Sequence, residues 1–430
     1  MNLSVLMGKE TMKKAWSGIL VVAFVLISSA ALAGQEEQPE RRAPEPRHRF
    51  LNLSLYYPAS TNRSLSDSAD IQLTLLYGRL GSVSGLDLGL GVTRLEDSLR
   101  GIQLAGLVGT AGKSMKGLQA AGLLCAAGEQ GQGIQLAGLG SVSGERFVGL
   151  QAAGLFSVAG ERLEGVQISG LFSVAGQEAN GFQVSGLFSV AGETLQGFQA
   201  SGLFSVAGEN LDGVQISGLF NVAGGDSRAF QLAGLMNIGG GTCQGVQIGL
   251  FNVAGRLTGV QIGIANVAGE LEGLPIGLVN VTRKEDRRVR LATWAGNTAL
   301  LNVGVKIWAK WFYSILYAGT VNLTQDERSC LAYGFQYGYG LPLRRSGDAA
   351  REMRVNLDVG YLYLDNSTVF RHTEGTPDRH VLSARAGLEF VLSSQVSLVA
   401  GLGLRYAIDY GKGFSSGRFS PLVFAGVELF

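Results

Sequence analysis

Between Gly101 and Asp286 apolar and polar positions alternate in short bursts broken by glycine, and the bursts repeat. Gly149 opens GLQAAGLFSVAGERLE, Gly165 opens GVQISGLFSVAGQEAN, Gly181 opens GFQVSGLFSVAGETLQ, Gly197 opens GFQASGLFSVAGENLD and Gly213 opens GVQISGLFNVAGGDSR, a period of 16. Further copies open at Gly101, Gly117, Gly133 and Ala229. From Gly245 the period is 14, in GVQIGLFNVAGRLT and, from Gly259, GVQIGIANVAGELE. Self-similarity at a short fixed period marks stacked units, none of which buries a face alone.

The change of period predicts the shape of each unit. In the long copies Val166, Ile168, Phe172 and Val174 share one parity, as one extended strand would require. In the short copies Val246 and Ile248 are even while Phe251 and Val253 are odd. One strand would then turn half its side chains to the other side. Two short strands with a corner between them would not, so the two lost residues belong at corners and the array reads as a β-solenoid. Leu163, Val166, Ile168, Phe172 and Val174 are expected to face inward, Gln167 and Ser173 outward. The glutamine recurs in every copy, from Gln103 and Gln119 through Gln167 and Gln215 to Gln247 and Gln261. Its polar neighbour becomes Asn221, Asn237, Asn252, Asn266 and Asn280. Stacked in register, these amides are expected to form a ladder that holds the coil together; the alternative use is a ligand-binding face.

After the charged run at 283–290 the alternation becomes longer. Met353, Val355, Leu357, Val359, Tyr361 and Tyr363 alternate with Arg354, Asn356 and Asp358. Leu331 to Leu341, Leu382 to Phe390 and Val396 to Tyr406 behave alike, and Asn302 and Lys306 fall on polar faces. About eight such strands are predicted, at 289–298, 299–308, 311–322, 330–341, 353–364, 380–391, 396–407 and 419–430. Roughly ten residues is the length a tilted strand needs to cross a bilayer. Trp308, Trp311, Tyr313, Tyr361, Tyr363, Tyr406 and Tyr410 lie near strand ends, where interfacial girdles form. Short turns at 309–310 and 393–395 alternate with long ones at 365–379 and 408–418. An outer-membrane-type β-barrel is therefore expected at 287–430, and a soluble β-sandwich is the competing form. Phe430 ends the chain as in many such barrels, although it is out of phase with Val423, Ala425, Val427 and Leu429, and Glu428 stands where an apolar residue is usual.

Ahead of the repeats, Lys13 and Lys14, the apolar run Ile19–Ile27 and Ala31-Leu32-Ala33 predict a cleaved secretory signal over 1–33, with Met12 as an alternative start. Residues 34–49 read as a flexible charged leader and 50–100 as an N-terminal β cap.

Composition excludes more than it assigns. A formal net charge of +1 gives no reason to expect nucleic acid as a partner. Cys125, Cys243 and Cys330 are an odd, scattered set, which reads as small apolar fillers rather than a disulfide framework. The turn acids Glu129, Glu145, Glu161, Glu193 and Glu209 recur singly, where a cation site or glycosidase pair needs convergent carboxylates. Gly109–Ser114 (GTAGKS) ends like a phosphate-binding loop, but Leu107 stands where that motif needs glycine. No catalytic, cofactor-binding or metal-ligating residue is assigned, and no enzyme is expected.

The units Gly245–Ala254 and Gly259–Ala268 resemble the bacterial surface-repeat family, whose repeats follow G-x-Q-[ILV]-G-L-[FV]-N-[VI]-A. The lead-in NLSLYYP at 52–58, LLYGR at 75–79 and GLDLGL at 85–90 is similar as well. The resemblance covers about residues 50–430 and implies an envelope location without a catalytic set. The expected protein is a non-enzymatic outer-membrane scaffold or interaction surface, with membrane lipid and envelope or surface macromolecules as partners. The competing expectation is a pore or transport protein whose repeats supply strands to one large barrel.

Overall fold

Repeats of two short strands can satisfy their backbone only by pairing with the next copy, and the computed structural model shows them doing so. It describes residues 46–283, 287–320, 331–344, 352–365, 379–393, 395–411 and 414–429. The signal at 1–33 and the residues Cys330 and Phe430 lie outside them.

Residues 48–282 form a β-solenoid of about 15 turns, with successive turns in parallel register. Gly149 lies beside Gly165 and Gly165 beside Gly181; Phe156 lies beside Phe172 and Phe172 beside Phe188. Each long unit has a longer strand such as Arg162–Ser169, a corner at Gly170-Leu171, a shorter strand Phe172–Ala175 and a charged turn. In the short units the two-residue corner Gly249-Leu250 is kept while the strand before it ends one residue sooner, at Ile248, and the register shifts between Gly239 and Thr242. Residues 48–100 are turns of the same coil: His48–Tyr56 pairs in parallel with Ser68–Gly89, which pairs with Val92–Ala105. Gly165 sits at φ +136 in the middle of its strand, and a Cβ there would lie 2.2 Å from the Gly149 carbonyl oxygen, so only glycine lets the turns approach this closely.

The inner face is the reverse of the one expected at most positions. Gln167 and Ser173 are fully buried, whereas Ile168 is 46% exposed and Val166, Phe172 and Val174 are half-buried. Of the five residues expected inside, only Leu163 is in the core. The rule that apolar residues go inward presumes that an inward amide has no partner. Here the next turn supplies one a rung away, so the amide costs nothing to bury. The rest of the core is a row of large residues (Leu99, Met115, Phe147, Leu163, Leu195, Leu211) against a row of alanines such as Ala159 and Ala175. The parity break keeps its meaning: Gln247 and Asn252 have opposite parity and both point inward.

The C-terminal strands Arg287–Gly296, Leu301–Ala309, Phe312–Thr320, Leu331–Arg344, Met353–Asp365, Arg379–Val391, Val396–Gly411 and Phe414–Leu429 close into an antiparallel eight-stranded barrel. The last strand pairs back onto the first, with Ala295 beside Ala425. A closed barrel with a separate solenoid excludes both the sandwich and the single large barrel. The loop expected at 408–418 is mostly strand, paired from Ala407↔Arg418 to Gly411↔Phe414. Trp308 and Tyr313, expected in an outer girdle, lie in the lumen, because they share parity with Lys306 and Ile315; Tyr361 faces outward as expected.

The coil ends on the outside of the barrel wall. Ser314 shares outward parity with the exposed Leu316, yet it is buried beneath the last turn. Carbonyls that would bond to a further turn are capped by barrel side chains: Lys310 Nζ donates to Leu271 O at 2.6 Å, Ser314 Oγ to Gly277 O at 3.0 Å, and the Tyr337 hydroxyl to Pro275 O. Ala309 and Phe312 pack against Leu257 and Leu271. The barrel wall thus does for the open sheet edge what one more turn would have done.

Candidate functional site

Two amide ladders run inside the coil in opposite senses. Each glutamine Nε2 donates to the Oε1 of the glutamine one turn earlier: Gln119 to Gln103 at 2.7 Å, Gln167 to Gln151 at 2.8 Å, Gln261 to Gln247 at 2.7 Å. Most also reach across to a carbonyl of the facing strand, as Gln167 does to Val174 O at 3.2 Å. The row ends on a carboxylate, with Gln103 donating to Asp87 at 2.8 Å. Burial pushes the Asp87 carboxyl up to about 6, against the pull of the Gln103 hydrogen bond. The asparagine row points the other way. Asn221 donates to Asn237 at 3.0 Å, and the series passes through Asn252 and Asn266 to Asn280. Both rows are sealed from solvent, which removes the ligand-binding use of these amides.

Outside the coil, the strand and corner residues form apolar rows. Leu104, Leu136, Ile168, Val184, Leu232, Ile262 and Ile276 make one, and Leu107, Leu123, Leu139, Leu155, Leu219, Leu250, Ile264 and Leu278 the next. Phenylalanines stack beside them, with Phe204 and Phe220 rings 5.2 Å apart and 3° from parallel. Toward the first turns this apolar corner deepens into an open groove of about 1400 Å³ between Leu53, Leu73, Leu90, Leu104 and Leu136. Of its residues, the strand positions such as Ile168 are those expected in the core from the sequence. The signal was present in the β-branched and leucine residues at every second position, which lacked only a side.

The opposite, charged side carries the turn acids. Glu129, Glu145 and Glu161 are exposed there. Cross-turn pairs such as Lys113–Asp97 at 2.6 Å and Arg162–Glu178 at 2.9 Å are solvated and contribute little to stability. Among the described residues no cluster of three or more metal-ligating side chains forms. Gly109–Ser114 is an ordinary strand end and turn of the coil. Cys125 and Cys243 are buried free thiols, and burial pushes Cys125 up to about 12.

The barrel is apolar outside, and inside it a buried charged network lies beside an apolar cluster that includes Trp294, Trp308, Leu362 and Phe424. Leu402 is 66% exposed on its outer wall, with Val289, Leu301, Val305, Leu357, Val359, Leu382 and Leu404 also exposed. In the lumen Arg290 Nη1 donates to Glu389 and Ser397, both at 2.8 Å, and Lys306 Nζ lies 2.5 Å from Glu428 and 3.5 Å from Glu389. Arg385 Nε donates to Asp358 at 2.6 Å, and the Tyr313 hydroxyl to the same carboxylate at 2.8 Å. Glu428, out of place as a lipid-facing residue, is thereby accounted for as part of the lumen. Two gaps among the described lumen residues are about 30 and 20 Å³, each the size of about one water.

No protein-family model matches the chain, and no curated protein matches it. Among solved structures, it is similar to the N-terminal β-barrel domain of Pseudomonas aeruginosa OprF, at 14% identity with a TM-score of 0.24, over 34% of this chain and 98% of that one. It is also similar to Neisserial surface protein A, at 12% identity with a TM-score of 0.23, over 34% of this chain and 99% of that one.

Proposed function

We propose that the protein is a non-enzymatic outer-membrane scaffold: a filled eight-stranded barrel as anchor, bearing a β-solenoid of the surface-repeat kind. The observation that carries this reading is the exposed apolar outer wall of the barrel around a buried ion network. Its outer wall is apolar along its length while Arg290, Lys306, Glu389 and Glu428 pair inside. Such a wall is costly in water and stable in lipid, and strands can cross a bilayer only when closed. An eight-stranded barrel fills its own interior with side chains, which favours anchorage over conduction. The solenoid adds a long repeated surface, with apolar rows on one side and charged turns on the other, which favours a scaffold or interaction surface. Both barrel termini lie at the end with the tight turn at Lys310-Trp311. In outer-membrane barrels that end faces the periplasm, which makes the solenoid periplasmic.

Fractionation tests the reading. The chain is expected in the outer membrane and, with membranes intact, 287–429 should resist protease. Recovery of the full chain from the soluble periplasm would overturn it.

A further inference from the structure

We propose that the apolar corner of the solenoid is seated in the lipid leaflet next to the barrel, so that the coil lies along the membrane as an in-plane element rather than projecting into water. The proposal rests on the outer-membrane reading of the barrel.

Three observations converge on lipid as the occupant. The first is the distribution of polarity around the coil. Ile168, Leu107, Phe182, Leu232 and Ile276 lie on one side, and Glu161, Arg162 and their equivalents on the other. With turns about 4.8 Å apart, about 15 turns carry the apolar corner over roughly 65 Å. A strip of that length and about 10 Å width exposes on the order of 600 Å², at the upper end for a monomeric protein in water.

The second is how the coil meets the barrel. The ladder of amides ends against the outer wall, so the stacking direction runs into the wall from the side. A barrel stands across its bilayer, and a rod abutting its wall therefore runs along the bilayer plane.

The third fixes which side of the rod faces the membrane. The last turn touches the barrel at two heights. Its charged turn, at Leu271, is held by Lys310 in the hairpin at the barrel's end. Its apolar corner, at Gly277 and the strand Leu274–Ile276 that leads into it, is held by Ser314 and, at Pro275 O, by Tyr337, which pair with each other two positions farther along the strands from Phe312. Two residues of strand amount to about 7 Å. The apolar corner is thus displaced toward the middle of the barrel and the charged turn toward water. An in-plane amphipathic element typically buries its apolar face about 5–10 Å deep. Beyond Ser314 the wall continues with Leu316 and, on the next strand, Tyr333, so the coil's corner and the barrel's lipid-facing wall form one continuous apolar surface.

Nitroxide accessibility in lipid nanodiscs tests this on the full mature chain, in a Cys330→Ser background. Cys125 and Cys243 stay unlabelled because they are buried. Labels at Ile168→Cys and Leu107→Cys are expected to be more accessible to oxygen than to a water-soluble nickel chelate, and a label at Glu161→Cys the reverse. Leu402→Cys, on the barrel wall, is the lipid reference. If 402 reads lipid while 107 and 168 read water, the proposal fails and the barrel reading stands. Low accessibility to both reagents at 107 and 168 would put a protein surface on the corner and also overturn it. If 402 itself reads water, the outer-membrane reading falls and the proposal with it.

Discussion

Asn280 donates to the Ser314 hydroxyl at 3.1 Å, and that bond passes the asparagine ladder from the coil to the barrel wall. Ser314 in turn donates to Gly277 O, so one hydroxyl answers both an amide and a carbonyl that a further turn would have satisfied. Gly277 O would keep its bond from Asn280 Nδ2 at 3.0 Å, but Ser314→Val should leave part of the buried Asn280 amide without an acceptor, at about 1–3 kcal/mol. Faster hydrogen exchange is expected over 260–282, with the strand Val396–Gly411 unchanged. Equal acceleration in both would mean the junction is not a local device.

Inside the coil, Gln167→Leu should destabilise more than Ile168→Ser, although the reverse follows from counting apolar residues. Leucine at 167 removes the acceptor of Gln183 and the donor to Gln151, two buried groups at about 1–3 kcal/mol each. Serine at 168 alters an exposed side chain, and its effect on unfolding of the coil in detergent should stay within about 0.5 kcal/mol. Urea unfolding of the two variants side by side decides the order.

The coil, its corners and the eight barrel strands were legible because strand period and repeat length are written directly in residue spacing. Which face of the coil is inner was not. Alternation gives two faces without saying which is outside, and assigning the apolar one inward presumes that water surrounds the molecule. The barrel follows the sequence because its apolar face is expected against lipid rather than in a core. Trp308 and Tyr313 were misplaced for a narrower reason: closeness to a strand end suggests a girdle, but parity with Lys306 sends them into the lumen. The joint between Ser314 and Asn280 had no local signal, since the two residues lie 34 positions apart.

Gly165→Ala should weaken the stack sharply. The backbone there is at φ +136, and the new Cβ would lie 2.2 Å from Gly149 O. Strain of about 1–3 kcal/mol adds to the overlap. Alanine at neighbouring Glu164, on the charged side, should change the midpoint little. A Gly165→Ala chain as stable as the parent would mean the turns can move apart at no cost.

Asp87 makes the first turns of the coil pH-sensitive. Its carboxyl stands at about 6 in the folded chain against 3.8 for the ordinary group, so ionisation is disfavoured by folding. The sign follows: stability is greatest below pH 4, falls as pH rises from about 4 to about 6, and is level above that. Two pH units correspond to about 3 kcal/mol. Asp87→Asn should flatten the profile and stabilise the chain at pH 7, read as the denaturation midpoint of the early turns against pH. A parent profile that rises between pH 4 and 6 would contradict this assignment.

The lumen should neither conduct nor tolerate a lone change of charge. Arg290 and Lys306 face Glu389 and Glu428 with almost no exposure, so each ion depends on the others for solvation. Removing one partner from a buried pair typically costs about 3–5 kcal/mol, because the remaining charge is stranded. Lys306→Met and Glu428→Gln should each lower the unfolding temperature in detergent, and the double variant should lose less than the sum of the two. Planar bilayers should show no unitary current for the parent or for the double variant, since an eight-stranded barrel fills its interior with side chains. Steady current through the parent would mean the network opens in the membrane, and additive losses in the two single variants would mean these charges do not form one unit.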